Sequence, residues 1–193
     1  MKTSGILVLV VGSSGAGKDT LLDAAKEAFG DDRRFRFVRR VITRPTEAGG
    51  EAHEAVTAEA FAARRFALAW EAHGLRYGIP DDIEADIAAG RIVIANVSRG
   101  VIADAAARFP VQVIEITVPP EILSARLASR GREDAAGRAA RMARRMDLAE
   151  GVAVQTVQND TTPAEGAARF VAALSRAAEA AWPAGTACQT PPG

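Results

Sequence analysis

One segment near the N-terminus limits the fold more than any other part of the sequence. An apolar run of β-branched residues and leucine, Ile6 to Val11, leads directly into Gly12, and Gly17 and Lys18 follow shortly after. Such a run without polar alternation is typical of a strand buried on both faces of a parallel sheet. Residues 18–29 then show the apolar spacing of a helix that ends at a glycine. The sequence therefore predicts a strand, a glycine-rich turn and a helix in direct succession.

The glycine-rich turn has the composition and spacing of a phosphate-binding loop. Glycines let the backbone curl so that successive N–H groups point at one phosphate, and the following helix adds its positive N-terminal end. Lys18 is placed to reach the β- and γ-phosphates of a nucleotide, so we predict that it is catalytic. We expect ATP as the bound nucleotide. Its predicted contacts are Gly12, Ser13, Ser14, Gly15, Ala16, Gly17, Lys18, Asp19 and Thr20.

Asp19 departs from the usual form of this loop. The pattern calls for serine or threonine after the lysine to hold Mg²⁺, and here Asp19 stands there and Thr20 follows. A carboxylate is a good ligand for Mg²⁺. It also complements the positive end of a helix, in which case Thr20 or water would hold the ion. Both interpretations stay open, and our hypothesis is that Asp19 is a Mg²⁺ ligand.

Similar apolar runs predict further buried strands. They lie at 92–97, 111–117 and 152–157, and a run richer in arginine lies at 36–42. Helices are predicted between them, at 57–66, at 120–129, and from the capping box Thr162-Pro163-Ala164-Glu165 to about Trp182. Strands that alternate with helices indicate an α/β fold of three layers, with a parallel sheet covered by helices on both faces. We predict one domain over 1–182 and a disordered tail over 183–193.

Composition narrows the classes of partner and location. The formal net charge is zero, so no global field favours nucleic acid or a membrane surface, and we expect neither as a partner. The single cysteine, Cys188, excludes a disulfide within the chain. The N-terminal apolar run is too short for a signal-peptide core or a membrane span, which predicts a cytoplasmic protein. The sequence leaves the oligomeric state open, and a homodimer is compatible with it.

Several segments beyond the loop resemble guanylate kinase. They are the stretch from Arg39 to Pro45, the pair Gly50-Glu51, the pair Tyr77-Gly78 and the arginine-rich stretch from Arg126 to Glu133. The resemblance implies a P-loop kinase fold with an acceptor-binding segment at about 36–80 and a lid at about 130–145. It also implies that the Thr-Arg-Pro and Tyr-Gly segments line the acceptor pocket.

The departures from guanylate kinase concern the purine. Leu68 stands where that family has an acidic residue that reads the guanine ring, and His53-Glu54 stands where it has a tyrosine. The acidic strand end of the family is replaced by Asn96-Val97-Ser98-Arg99. Arginines suited to phosphate therefore remain while groups that recognise a base are absent. A phosphorylated acceptor without a base would suit such a pocket.

The altered segments are similar to the ribose 1,5-bisphosphate phosphokinases of bacterial phosphonate degradation, a family within the guanylate kinase-like group. The resemblance implies that ATP, with Mg²⁺, phosphorylates the 1-phosphate of ribose 1,5-bisphosphate, a small phosphorylated sugar, to give 5-phosphoribosyl 1-diphosphate. The attacking oxygen would belong to an anionic phosphate, so alignment and charge neutralisation would suffice without a general base. The segments that carry the similarity are Lys18-Asp19, Arg40 to Pro45, Glu51 to Glu54, His73 to Pro80 and Asn96 to Arg99.

The candidate acceptor-binding residues are polar or cationic side chains of these segments and of the lid. Arg130 and Arg132 flank Gly131, and we predict that lid closure brings them onto the transferring phosphoryl group as catalytic residues. The alternatives are a guanylate-type nucleoside monophosphate kinase, a small-sugar kinase, which should carry a carboxylate base for its acceptor hydroxyl, and a catalytically inert guanylate kinase-like binding module. The predicted acceptor-binding residues are Arg40, Arg44, Glu51, His53, Tyr77, Asn96, Ser98, Arg99 and Arg141.

Overall fold

The computed structural model describes residues 5–45, 52–128 and 151–181. The helices in this part of the chain are α1 (Lys18–Phe29), α2 (Ala58–Ala62), α3 (Ile83–Ala88), α4 (Ile102–Arg108), α5 (Pro120–Ala128) and α6 (Pro163–Ala181). The strands are β1 (Ile6–Gly12), β2 (Phe35–Phe37), β3 (Val41–Ile42), β4 (Glu54–Ala55), β5 (Phe66–Ala72), β6 (Leu75–Pro80), β7 (Ile92–Asn96), β8 (Val111–Thr117) and β9 (Ala153–Gln158).

The main sheet is parallel throughout and has the strand order β2-β7-β1-β8-β9. Its central strand β1 is the apolar run predicted from the sequence, and residues Leu7 to Val11 are fully buried. Since parallel strands end at the same edge, the loop after β1 lies beside the end of β7. Ligands of open α/β sheets bind at this edge.

Helices cover both faces of the main sheet. On one face, Leu21 of α1 and Phe170 of α6 pack against Val8 and Val10 of β1. The other face packs against α3, α4 and the inner side of a second sheet. The predicted three-layer α/β architecture is therefore confirmed.

The second sheet has four strands in the order β4-β3-β6-β5. Strands β5 and β6 form an antiparallel hairpin whose turn contains His73 and Gly74, both with positive φ. The backbone N–H of Arg76 donates to Thr43 Oγ1 over 2.9 Å, and the Thr43 N–H donates to the Arg76 carbonyl over 3.1 Å. These two bonds fix the end of β3, where the Thr-Arg-Pro segment leaves the sheet.

Two predictions about this region were wrong. The run at 36–42 is not one strand, because β2 pairs with β7 in the main sheet while β3 pairs with β6 in the second sheet. The helix predicted at 57–66 is only the five residues of α2, and Phe66 already belongs to β5. By contrast, α1 and β8 have the predicted bounds.

The predicted capping box opens α6. The Glu165 N–H donates to Thr162 Oγ1 over 3.3 Å, and the Thr162 hydroxyl donates to Glu165 Oε2 over 3.0 Å. Hydrogen bonds from Thr161 and Thr162 lower the pKa of Glu165, so their stabilising effect is lost as the pH falls.

In the described ranges, none of the helices is long and apolar enough to cross a membrane.

Candidate active site

The loop between β1 and α1 is closed by its own backbone and by Lys18. Gly15 and Gly17 have φ values of 85° and 87°, a region that favours glycine. The Ala16 N–H donates to the Ser13 carbonyl over 3.1 Å. Lys18 Nζ donates to the Gly12 and Ser13 carbonyls over 2.8 and 3.1 Å. The ammonium group therefore lies across the loop, where a nucleotide phosphate would be held.

A buried asparagine that the sequence reasoning missed supports this loop. Asn159, directly after β9, is 5% exposed, and its Nδ2 donates to the Ala16 carbonyl over 2.8 Å. A β-carbon added at Gly17 would lie 2.5 Å from that amide nitrogen, and one at Gly166 would lie 2.2 Å from the amide oxygen. Because neither glycine has a β-carbon, the Asn159 amide group fits between the loop and α6. Asn159 therefore links these two elements. A polar residue directly after a predicted strand was the available signal.

Replacing Asn159 by alanine is expected to destabilise the loop more than the rest of the fold. The change leaves the buried Ala16 carbonyl without its partner, which costs about 1–3 kcal/mol. We expect a lower melting temperature and a several-fold higher KM for ATP in steady-state assays. The matched control is Gln155→Ala on the same strand, since the Gln155 amide donates to the Ala173 carbonyl of α6. An ATP KM that rises equally in both variants would contradict the assignment.

A cleft opens between α1, the end of β7 and the segment before β3. Its polar lining includes Asp19, Arg40 and Asn96, and its apolar lining includes Leu22 and Val38. Asn96 is buried, and its Nδ2 donates to Asp19 Oδ1 over 3.4 Å. The structure thus brings together three residues that were predicted for the site from distant parts of the sequence.

Arg40 is held against two aromatic rings of the second sheet. Trp70 and Tyr77 are cross-strand partners whose rings stack with centroids 5.4 Å apart and planes at 8°. The Arg40 guanidinium carbon lies 5.2 Å from the centroid of Tyr77 and 6.0 Å from that of Trp70. Cation–π attraction to both rings therefore restrains the guanidinium at the cleft. Trp70, which was not among the predicted site residues, is part of this arrangement.

Arg44 and His53, both predicted to bind the acceptor, contact each other. His53 is 3% exposed, and its Nδ1 lies 3.4 Å from Arg44 Nη2. Its Nε2 lies 3.0 Å from the Arg44 carbonyl oxygen. The side chain predicted to contact the acceptor is thus buried against the arginine predicted to do the same.

Ser98 and Arg99 have structural partners. The Ser98 hydroxyl accepts from the Gly100 N–H over 3.4 Å and caps a short 3₁₀ turn. Arg99 Nη2 donates to Glu115 Oε1 of β8 over 2.9 Å, and both side chains are about four-fifths buried. These contacts give both residues a role at the sheet edge, and acceptor binding by them stays a prediction.

Leu68 is buried in the core with Ile79, so its side chain offers no polar group to a base.

Four predicted site residues lie outside the described residues: Glu51, Arg130, Arg132 and Arg141. The predicted lid at 130–145 and the tail at 183–193 lie outside them as well. Arg126, near the end of α5, was not among the predicted site residues. A β-carbon added at Gly17 would lie 3.9 Å from its Nη1, so this guanidinium is close to the loop.

Comparison with characterised relatives identifies the family. The sequence is 52% identical over 176 residues to ribose 1,5-bisphosphate phosphokinase PhnN of Acidiphilium cryptum, and the match covers 91% of this chain and 96% of that protein. The PhnN protein of Methylobacterium radiotolerans is 48% identical over 174 residues, with 88% and 97% covered. The chain belongs to the ribose 1,5-bisphosphate phosphokinase family. The family predicted from the sequence, a family of kinases, is therefore confirmed.

Some relatives are longer. The bifunctional ribose 1,5-bisphosphokinase-thymidine phosphorylase of Azorhizobium caulinodans is 50% identical over 177 residues, but these cover 89% of this chain and only 26% of that protein. No protein-family model matches the sequence.

Solved structures support the fold. A guanylate kinase from Anaplasma phagocytophilum superposes with a TM-score of 0.66 at 18% identity and covers 90% of this chain and 86% of its own. A sugar kinase from Janibacter superposes with a TM-score of 0.53 at 17% identity, with 89% and 95% covered. At these identities the likeness concerns the fold alone.

Proposed function

We propose that the protein transfers the γ-phosphoryl group of ATP to the 1-phosphate of ribose 1,5-bisphosphate. The products are ADP and 5-phosphoribosyl 1-diphosphate. The observation that carries the proposal is the pair Arg40 and Arg44, which flank the two-residue strand β3 and are each held by a neighbouring side chain. An acceptor with two phosphates requires more than one fixed guanidinium, and it requires no group that reads a base. The relatives are named for the same acceptor, ribose 1,5-bisphosphate.

The loop after β1 acts on the donor. Its backbone N–H groups and the start of α1 bind the β-phosphate, and Lys18 leaves its carbonyl partners to contact the β- and γ-phosphates. The ammonium then neutralises the charge that develops as the γ-phosphoryl group moves. This contact stabilises the transition state more than the ground state, which is the requirement for faster turnover.

The arginines act on the acceptor. Arg44 binds one phosphate of the sugar and Arg40 contributes a second cation at the cleft. The attacking atom is an oxygen of the 1-phosphate, which is already anionic, so the chain has no proton to remove. Its task is to place that oxygen in line with the γ-phosphorus and to exclude water. Arg130 and Arg132 are proposed to complete the charge neutralisation from the lid.

Mg²⁺ is proposed as the accompanying ion, and the described residues fit it. Asp19 is an exposed carboxylate at the start of α1, one residue from Lys18, with one oxygen beside the Asn96 amide. In the described part of the chain, no group of three or more histidine, cysteine or acidic side chains is placed to hold a metal ion. A site with one carboxylate suits Mg²⁺, because this ion keeps several waters and takes phosphate oxygens as further ligands. Asp19 would hold the ion, which would neutralise part of the charge on the donor phosphates.

The acceptor is tested by offering purified protein ATP and Mg²⁺ with ribose 1,5-bisphosphate, GMP or gluconate, and measuring ADP release. We expect release only with ribose 1,5-bisphosphate. Preference for GMP would assign the protein to the guanylate-type kinases, and release with none of the three would favour the inert binding module. The cytoplasmic location, the homodimer and the single domain over 1–182 stay predictions.

A further inference from the structure

His53 contacts the residues on both sides of strand β3. Its ring contacts the Arg44 side chain through Nδ1 over 3.4 Å and the Arg44 carbonyl oxygen through Nε2 over 3.0 Å. Its own carbonyl oxygen accepts from Arg39 Nη2 over 2.7 Å. His53 precedes β4, and Arg39 and Arg44 stand before and after β3, which is paired with β4 in parallel. The histidine is thus fixed from both sides of one short strand.

These two ring contacts select one tautomer. A backbone carbonyl oxygen only accepts hydrogen bonds, so Nε2 must carry the proton that it shares with Arg44. A guanidinium only donates, so Nδ1 must be the unprotonated acceptor. The neutral ring with its proton on Nε2 satisfies both contacts, and neither the other tautomer nor the imidazolium does.

The Arg44 guanidinium is also short of an acceptor. Its Nε is buried and has no hydrogen-bond partner among the described residues. Buried polar groups are nearly always hydrogen-bonded, so such an atom points to a ligand that supplies an acceptor. An anionic oxygen suits a guanidinium best. The contact between Arg44 Nη2 and His53 Nδ1 restrains the guanidinium and leaves Nε for the anion.

We propose that His53 is a positioning residue that aims the Arg44 guanidinium at an acceptor phosphate through the contact at its Nδ1. The inference rests on the proposed function for the identity of the acceptor. It replaces direct contact between His53 and the substrate, because the ring is buried and both of its nitrogens face Arg44.

The test compares His53→Gln with His53→Leu. A side-chain amide offers one donor and one acceptor, as the imidazole does. We expect His53→Leu to raise the KM for ribose 1,5-bisphosphate about tenfold, with the KM for ATP unchanged, and His53→Gln to recover most of the loss.

Two outcomes would overturn the proposal. One is an acceptor KM that is the same in wild type and His53→Leu. The other is an equal loss in both variants, which would make His53 a packing residue. Circular dichroism and melting curves identify a variant that fails to fold, and His53→Gln then remains as the test, because its acceptor KM should stay close to that of wild type.

Calorimetry separates this proposal from the proposed function. Inorganic phosphate and ribose 1,5-bisphosphate are each titrated into protein saturated with ADP, which fills the loop. If wild type does not bind the sugar, the proposed function fails. The positioning role is then judged on phosphate, because Arg44 takes a phosphate group whatever carries it. Equal phosphate affinity in wild type and His53→Leu would contradict the positioning role alone.

Discussion

Replacing Lys18 by alanine is expected to lower kcat by about 10²–10³-fold, the size of effect seen when one electrostatic donor is removed from a transition state. The contacts of Lys18 to the Gly12 and Ser13 carbonyls hold its ammonium across the loop, from which it can turn to the transferring group. We expect the dissociation constant of ATP, measured by calorimetry, to change much less than kcat. The reason is that the loop backbone still binds the β-phosphate.

The control for this change is Arg34→Ala. Arg34 is an exposed cation beyond the end of α1 that pairs with Asp32 over 2.6 Å. We expect its removal to leave kcat unchanged while both variants keep a cooperative melting transition. A Lys18→Ala variant that retains wild-type kcat would contradict the role of this loop in transfer.

Replacing Asp19 by asparagine is expected to raise the Mg²⁺ concentration for half-maximal activity by at least about tenfold, since even outer-shell partners of metals contribute that much. Asparagine has the same size as aspartate, and its side-chain oxygen can still accept the hydrogen bond from Asn96. The change removes only the negative charge that would hold the ion. The measurement is a Mg²⁺ titration of turnover at saturating ATP. Binding of Mn²⁺ to the ADP complex, followed by paramagnetic resonance, gives a second readout that does not depend on turnover.

Glu27→Gln is the matched control. Glu27 is an exposed carboxylate on the same helix, and the change removes an equal charge from α1. We expect its Mg²⁺ dependence to match that of wild type. If Asp19→Asn also matched wild type, the carboxylate would serve only the start of the helix, and Thr20 or water would hold the ion.

The donor half of the site is the part that the sequence predicts best. The strand, the loop and α1 are contiguous, and each is specified by local chemistry: a buried apolar run, glycines with positive φ and a helical spacing. In this half of the site, residues that are close in the sequence are also close in space. Local patterns are therefore sufficient to predict this half.

The acceptor half depends on pairing that no local pattern encodes. Whether 36–42 forms one strand or two is decided by which sheet supplies each partner, and β2 and β3 have different partners. The β5–β6 hairpin was missed because Ala67, Ala69 and Ala72 weaken its apolar alternation. The stack of Arg40 on Trp70 and Tyr77 exists only once this hairpin has formed.

The supporting residues were the hardest to predict. Asn159 bonds to Ala16 across 143 residues of sequence, and its short polar side chain carries no motif. His53 was predicted as a substrate contact because a polar residue in a binding segment is most simply explained that way. Its actual partner, Arg44, becomes apparent only when β3 and β4 lie side by side.

The most direct test of the proposed function is a competition assay with ³¹P magnetic resonance. Wild-type protein receives ATP, Mg²⁺ and equal concentrations of ribose 1,5-bisphosphate and GMP, and the phosphorus signals of the products are followed with time. The proposed function predicts the coupled pair of signals of a sugar 1-diphosphate, formed together with ADP, while GMP stays unchanged and Lys18→Ala gives neither product at a comparable rate. Signals of GDP in place of the sugar diphosphate would contradict it.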